Sequence, residues 1–174
     1  MLQEENRIVT EMHEMMDTIN VVPMPGDPDH HFAQLMKMHH EGAINMASVV
    51  LEESHNDVIK KLAQQIIHNQ KQDIIELENF LEDYINGTAN EEFNIAMDMC
   101  TDKIGNDLWH RQLNGDIDHD FAMLMIAHHQ HAIEMTNLIM RYSRNEAIHR
   151  LANEIKEDQE AEIAAFKEWL VLAA

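Results

Sequence analysis

The sequence predicts an all-α protein in which two duplicated helical hairpins form a four-helix bundle and a shorter amphipathic helix precedes each hairpin. Composition is the first reason, because glycine (5) and proline (3) are scarce and aromatic residues make up only 5% of the chain. Strands favour aromatic and β-branched residues, whereas glycine and proline destabilise helices. The second reason is an apolar pattern with helical spacing, and the third is an internal repeat.

The internal repeat relates the two halves of the chain. When the sequence is shifted by 89 positions, residues 26–81 align with residues 115–170 without a gap, and 22 of the 56 aligned positions hold the same residue. A gap-free match of this length indicates a duplication. We expect a first repeat at residues 1–86 and a second at residues 87–174. Neither hairpin could bury its apolar face alone, so the two repeats are expected to form one structural unit.

Each repeat is expected to begin with a short amphipathic helix. Its apolar face has helical spacing and holds Ile8, Met12, Met15 and Ile19 in the first repeat, and Phe93, Met97, Cys100 and Ile104 in the second.

Two longer helices follow in each repeat. The first of them should begin after an Asp N-cap, Asp27 or Asp116, and Pro28 occupies the first helical position in the first repeat. The apolar pattern breaks at residues 54–57 and 143–145, where the second long helix is expected to start. Because these connections are short, the two long helices of each repeat should be antiparallel neighbours.

Histidine (13) and methionine (14) are the residues that stand out as carriers of chemistry. On a helical wheel the adjacent histidines of each repeat straddle the apolar stripe of the first long helix, and methionines flank them on the same face. The predicted metal ligands are Met36, His39, His40 and Met46 in the first repeat and Met125, His128, His129 and Met135 in the second. Imidazole and thioether donors together suit copper, Cu(I) above all, with Cu(II), silver and zinc as alternatives.

A second interpretation of the histidine pairs involves no metal. Gln70 and Asp73 lie among the core positions of the second long helix, as do Gln159 and Glu162 in the other repeat. Buried histidines need hydrogen-bond partners, and these side chains could supply them in a purely structural bundle. The carboxylates could equally orient the imidazole of a metal ligand.

A third interpretation is a di-iron carboxylate enzyme, which needs Glu-x-x-His strings facing the interior of a bundle. The string occurs at residues 52–55 and 146–149, but the two occurrences are not equivalent under the repeat. His55 falls in a predicted turn, and His149 aligns with Lys60 on an outward face. We therefore expect a non-catalytic protein.

Further soft donors lie outside the predicted ligand set. They are Met12, His13, Met15 and Met16 on the first leading helix and Met97, Met99 and Cys100 on the second, and their role stays open because several fit the apolar face. His30, His31, His119 and His131 are candidates for additional exposed sites. The first three lie near helix N-termini, which disfavour cations.

The acidic composition limits the classes of partner. Lys and Arg number 12 against 32 Asp and Glu, which gives a net charge of −20. Such a chain is a poor match for nucleic acid or an anionic membrane surface, and metal cations are the expected partners. No apolar run of about twenty residues is present, so we expect no membrane insertion. The oligomeric state stays open, with a homodimer among the options.

The segments DPDHHFAQLMKMHHEGAINMA and DIDHDFAMLMIAHHQHAIEMT resemble the signature of the bacterial family known as domain of unknown function 305. The shared elements are an Asp-rich cap, Phe-Ala, a Met, His-His followed by Ala-Ile-x-Met, and a downstream Gln. The resemblance spans residues 12–172. The chain departs from the family pattern at Gly42 and His131, where a small residue is usual, and at Lys37-Met38, where Ile-Pro is common.

This resemblance implies a ferritin-like four-helix bundle that is usually exported, and some members bind copper or silver in the periplasm. The family's Met and His-His elements fall on the eight predicted ligands. The start of the chain, MLQEENRIVTEMHEMM, lacks the basic and apolar stretches of a secretion signal, as in a cytosolic protein or in the mature form of an exported one. The leading hypothesis is therefore a periplasmic or secreted protein that sequesters or buffers copper.

Overall fold

The computed structural model describes residues 6–21, 23, 26–109 and 112–174. Within these residues the chain forms helices and no strand, which confirms the predicted all-α class. The helices are α1 (Arg7–Val21), α2 (Pro28–Glu53), α3 (Asp57–Asp83), α4 (Glu91–Trp109), α5 (Ile117–Tyr142) and α6 (Glu146–Ala173). None of the described helices combines the length and the apolar run that crossing a bilayer requires.

The helix starts are set by the polar caps that the sequence predicts. The carboxylate of Asp27 accepts hydrogen bonds from the backbone N–H groups of Asp29 and His30, and that of Asp116 accepts one from His119. Pro28 occupies the first position of α2, where its missing N–H costs no helical hydrogen bond.

The loops inside the two hairpins have the same construction. Asn56 caps α3 and Asn145 caps α6, each accepting from the backbone N–H groups two and three residues further on. Ser54 and Ser143 end the preceding helices, and their hydroxyls accept from the N–H groups of the two capping asparagines. The duplication therefore reproduces the turn chemistry as well as the residues.

The four longer helices pack side by side. α2 contacts α3 and α5 contacts α6 within the hairpins, while α2–α5 and α3–α6 contacts join the two hairpins. The leading helices lie on the outside of this arrangement, α1 against α2 and α4 against α5. The boundary between the predicted repeats falls in the loop at residues 84–90. We propose that the two repeats fold as one unit. That the bundle is ferritin-like, as the family resemblance implies, also stays a prediction.

The apolar faces predicted for the leading helices are largely buried. Ile8, Met12, Met15 and Ile19 are at most 6% exposed, and Phe93 and Met97 are fully buried. Cys100 is half-buried, and the side chain of Ile104 lies outside the described part of the structure. Burying each large apolar side chain stabilises the fold by about 1.5–3 kcal/mol, so α1 and α4 are integral to the core.

A close approach between α1 and α2 depends on Gly42. A Cβ atom at this position would lie 2.6 Å from Cγ of Met15 and would overlap its sulfur. Met15 therefore occupies the space that a side chain on α2 would need. The equivalent residue of the second repeat is His131, so the leading helices are accommodated differently in the two halves.

Candidate metal centre

His39 on α2 and His128 on α5 meet where the two hairpins join. Their rings stack with centroids 3.5 Å apart and planes inclined by 24°. Both side chains are fully buried. The wheel argument places each histidine on the inner face of its own helix, and the structure brings the two repeats together at these equivalent positions.

The tautomer of His128 follows from its hydrogen bond. Nε2 of His128 lies 2.9 Å from the backbone carbonyl oxygen of His39 and must donate, because a carbonyl only accepts. Nδ1 of the neutral His128 ring then carries a lone pair, and it has no hydrogen-bond partner. Neither ring nitrogen of His39 has one. The stacked pair therefore presents three buried nitrogens without a protein partner.

Burial sets the charge state of this pair. Desolvation lowers the pKa of His39 well below its usual 6.5, and the nearby His128 lowers it further. Desolvation likewise lowers the pKa of His128, with His129 and His40 adding to the effect. Both imidazoles are therefore neutral near pH 7, which is the form that coordinates metal ions.

Each of the neighbouring histidines faces a carboxylate from the other helix of its hairpin. Nε2 of His40 donates to Oδ2 of Asp73 over 3.0 Å. Nε2 of His129 lies 2.8 Å from Oε2 of Glu162, but the alignment of these atoms is not that of a hydrogen bond. The two histidines are fully buried, and Nδ1 of each has no partner. Carboxylates in this position orient metal-binding imidazoles in many proteins.

The carboxylates make this side of the histidine cluster negative. The Asp73 side chain is 13% exposed and that of Glu162 is 4% exposed. Glu162 also accepts a hydrogen bond from Nδ2 of Asn69 through its other oxygen. Partial burial and the charges of Asp73 and Glu162 raise the pKa of Asp158. The field of these groups favours a cation at the histidines.

The four predicted methionine ligands are all in the core. Met36, Met46 and Met125 are fully buried, and Met135 is 1% exposed. They stand three residues before and seven residues after His39 and His128 on the same helices, so helical geometry keeps them on the histidine face. A thioether accepts hydrogen bonds only weakly, which is why these sulfur atoms can be buried at little cost.

The glutamines offered by the metal-free interpretation do not pair with the histidines. Gln70 is fully buried, and neither its amide nitrogen nor its oxygen has a hydrogen-bond partner. The side-chain oxygen of Gln159 also lacks one. Each buried polar group without a hydrogen-bond partner lowers the stability of the fold by about 1–3 kcal/mol. A ligand that binds among these groups would recover part of that cost.

The predicted donors do not form a ready-made carboxylate or imidazole cage. Among the residues that the structure describes, no three His, Cys, Asp or Glu side chains are arranged to hold one ion. The Glu-x-x-His strings lie apart from the cluster. His55 is exposed in the loop after α2, and Nε2 of His149 donates to the carbonyl of Ser143 over 2.8 Å.

Two histidines predicted to form exposed sites are buried, and that prediction was wrong. His31 is 3% exposed, because α4 covers it: its Nδ1 lies 3.1 Å from Oδ1 of Asn94 and its ring meets Phe93 edge to face. His131 is 2% exposed. Its charge would act on both His39 and His128, so it belongs with the central histidines. The sequence signal for His131 is its place three residues after His128, a spacing that puts two side chains on the same face of a helix.

The soft donors of the second leading helix are not brought together. Met97 is fully buried, whereas Met99 is 68% exposed. Burial raises the pKa of the half-buried Cys100 thiol to about 11, so the thiolate that binds metals is scarce at neutral pH.

Solved structures of similar chains include three copper- and silver-related examples. CopM in its Cu(I)-bound form is 29% identical, with 81% of this chain and 94% of that chain covered and a TM-score of 0.61. CopM in a silver-bound form is 27% identical at the same TM-score, covering 81% and 93%. CopM in its apo form is 27% identical, with a TM-score of 0.61 and coverage of 81% and 94%. These are proteins that this chain resembles.

Family membership rests on a match between most of the chain and a family model, and a solved structure of the same family agrees with it. A DUF305 fragment from Deinococcus radiodurans is 28% identical, covers 85% of this chain and 98% of that chain, and has a TM-score of 0.61. No curated protein shows a significant sequence match. Residues 29–170 match the family described as Domain of unknown function (DUF305). The chain therefore belongs to the DUF305 family, as its repeated motif predicts.

Proposed function

We propose that this protein binds copper as its cargo and sequesters or buffers it without catalysing a reaction. The proposed ligands come from the face shared by α2 and α5 and are Met36, His39, His40, Met46, Met125, His128, His129 and Met135. The observation that carries the proposal is the stacked pair His39 and His128, with three buried nitrogens that have no hydrogen-bond partner.

The chemistry of the donors favours Cu(I). Thioethers are soft donors and imidazoles suit copper, so the combined set binds Cu(I) and silver in preference to hard ions. A monovalent ion also brings only one charge into a buried site, and Asp73 and Glu162 lie behind His40 and His129 to offset it. The Cu(I)-bound and silver-bound structures of CopM, at 29% and 27% identity, support the same choice. Cu(II) and zinc are the alternatives.

A structural bundle without metal is the second candidate. It is favoured by two hydrogen bonds, from His128 to the carbonyl of His39 and from His40 to Asp73, which occupy one nitrogen of each ring. This candidate gives no role to the remaining nitrogens or to Gln70. It predicts that Cu(I) leaves the melting temperature unchanged, whereas a ligand that binds the native state raises it.

The proposed location is the periplasm or the cell exterior. Its support is the family resemblance, together with a DUF305 structure from Streptomyces coelicolor described as a candidate secreted protein, which at 22% identity and a TM-score of 0.66 shows a shared fold. Fractionation of cells that express the complete gene would test this location, and recovery in the cytosol would contradict it.

Anaerobic titration with Cu(I) against a competing chelator tests the site, with Zn(II) and Fe(II) run in parallel. H39Q/H128Q removes the stacked imidazoles while keeping much of their volume, and H55A/H68A removes two exposed histidines as a matched control. We expect wild type and control to bind Cu(I) tightly and alike, and H39Q/H128Q to lose tight binding. Unchanged stoichiometry and affinity in H39Q/H128Q would show that the histidines are structural. Circular dichroism of each metal-free variant checks that it is folded.

A further inference from the structure

A cleft of about 410 Å³ opens between the two leading helices, apart from the interior of the bundle. Its walls are Met12, His13, Met16, Asp17 and Asn20 from α1 and Thr101, Asp102 and Gly105 from α4. None of the eight proposed interior ligands lines it. We refer to this cleft as the α1–α4 groove.

The soft donors of the groove are neighbours on one turn of α1. Met12 and Met16 are four residues apart and His13 and Met16 are three apart, spacings that place side chains side by side on a helix. Met12 is 3% exposed, so its thioether forms the floor of the groove, whereas His13 and Met16 are only half-buried. The half-buried imidazole of His13 and thioether of Met16 thus lie beside the buried thioether of Met12 at one point of the groove.

The opposite wall of the groove makes room for these donors. Under the 89-residue shift, Met12, His13 and Met16 correspond to Thr101, Asp102 and Gly105, so the two leading helices meet at equivalent positions. The terminal methyl of Met16 lies 3.4 Å from the place where a Cβ atom at Gly105 would be. All the soft donors of the groove therefore come from α1. Because α4 has none at the equivalent positions, we expect one groove site per chain.

Charge separates this groove from the other cluster of soft donors on α4. The groove is flanked by Asp17 and Asp102, and no Lys or Arg is among its described lining residues. An adjoining cleft shares Asp102 and adds Asp98. The cleft around Met99 and Cys100 is lined instead by Lys103, Glu134 and Arg141. Glu134 is paired with Lys103, so the charge of Arg141 leaves this cleft net positive, which disfavours a metal ion. The leading helices thus offer one cluster of soft donors suited to a cation.

We propose that Met12, His13 and Met16 form a second, solvent-open site for a soft monovalent cation, Cu(I), in the α1–α4 groove. The site takes its cargo from the proposed function but shares no ligand with the bundle interior. Thioether and imidazole ligands bring no negative charge, so Asp17 and Asp102 are left to balance the single charge of Cu(I). Because the groove is open, this ion exchanges with solvent faster than one held between α2 and α5.

Two paired variants test the groove site by Cu(I) stoichiometry. M12L/M16L removes both thioethers with little change in volume. M38L/M99L removes two methionines outside both proposed sites and serves as the control. We expect M12L/M16L to bind one Cu(I) fewer per chain than wild type, M38L/M99L to match wild type, and H39Q/H128Q to keep the groove ion. A wild-type stoichiometry in M12L/M16L would overturn the groove site.

A spectroscopic readout keeps the test independent of variant stability. Ag(I), a d¹⁰ analogue of Cu(I) that is stable to air, is added to wild type carrying ¹³C-methyl methionine, and single Leu variants assign the resonances of Met12 and Met16. Shifts of both methyl resonances that persist in H39Q/H128Q support the groove site even where the interior site has failed. Unmoved Met12 and Met16 resonances overturn it, whatever the interior methionines do.

Discussion

The two repeats have the same helices but surround their histidine pairs differently. Where the first repeat has Gly42 beneath Met15, the second has the buried His131. His40 makes an aligned hydrogen bond to Asp73, whereas the more deeply buried Glu162 lies against His129 without one. The caps and the histidines are conserved between the halves while the groups that face them have diverged. A duplicated motif therefore does not imply two identical sites.

The largest expected effect tests whether His39 and His128, which are equivalent by sequence, share one environment. In the folded protein burial lowers the pKa of both well below 6.5. In the unfolded chain they titrate near about 6.5. The unfolded state therefore binds more protons as the pH falls below that value, and the free energy of unfolding falls by about 1.4 kcal/mol per pH unit for each histidine. Well above about pH 6.5 both residues are uncharged in the folded and unfolded states, and neither makes stability depend on pH.

Urea unfolding of the metal-free protein between about pH 7.5 and about pH 5.5 measures this dependence. Other groups also titrate, so the informative quantity is the extra loss of unfolding free energy in wild type relative to H39Q/H128Q. It amounts to about 3 kcal/mol over this whole pH range, because the unfolded histidines become protonated only at about pH 6.5. The single variants H39Q and H128Q should each remove about half of it. A clearly unequal division would show that the stacked rings are not equivalent.

Gly42 gives the next largest effect, because it belongs to the first repeat alone. Gly42→Ala places a methyl group against Cγ and the sulfur of Met15, and such overpacking costs about 1–3 kcal/mol. Gly105→Ala is the matched control: its methyl would be in ordinary contact with Met16, and alanine favours a helix by about 1 kcal/mol over glycine. Thermal and urea unfolding should show opposite changes for the two variants. A stabilised Gly42→Ala protein would mean that α1 shifts freely on α2.

The carboxylates should contribute unequally to Cu(I) affinity. Glu162 is the more buried of the two, so its charge is screened less and acts more strongly on an ion at the histidines. We expect E162Q to weaken Cu(I) binding by about tenfold and D73N to weaken it less. Chelator competition measures both constants, with wild type and the exposed-surface variant E168Q as controls. A larger loss of Cu(I) affinity in D73N than in E162Q would show that Asp73, not Glu162, is the carboxylate that acts more strongly on the ion.

The helices and the faces they bury follow from local sequence, whereas the contacts between elements do not. Caps at Asp27 and Asp116 and the inward position of His39 depend on neighbours within one or two turns, so pattern and spacing predict them. Stacking of His39 on His128 requires the register between α2 and α5, which no periodicity encodes. His31 lies away from the apolar stripe of α2 on a helical wheel, and its burial depends on α4 covering that face.

The smallest expected effect concerns a feature that the repeats share. Asn56 and Asn145 cap α3 and α6 with the same pair of hydrogen bonds to backbone N–H groups. N56A and N145A should each lower the free energy of unfolding by about 1 kcal/mol, the usual contribution of such a cap. Urea unfolding at neutral pH compares them, with N79A on the solvent side of α3 as the control. Equal losses of unfolding free energy would mean that the two repeats differ at the histidines and the leading helices but not in their hairpin turns. A larger loss in N145A would mean that the turns differ in energy as well, although the structure shows the same cap hydrogen bonds in both halves.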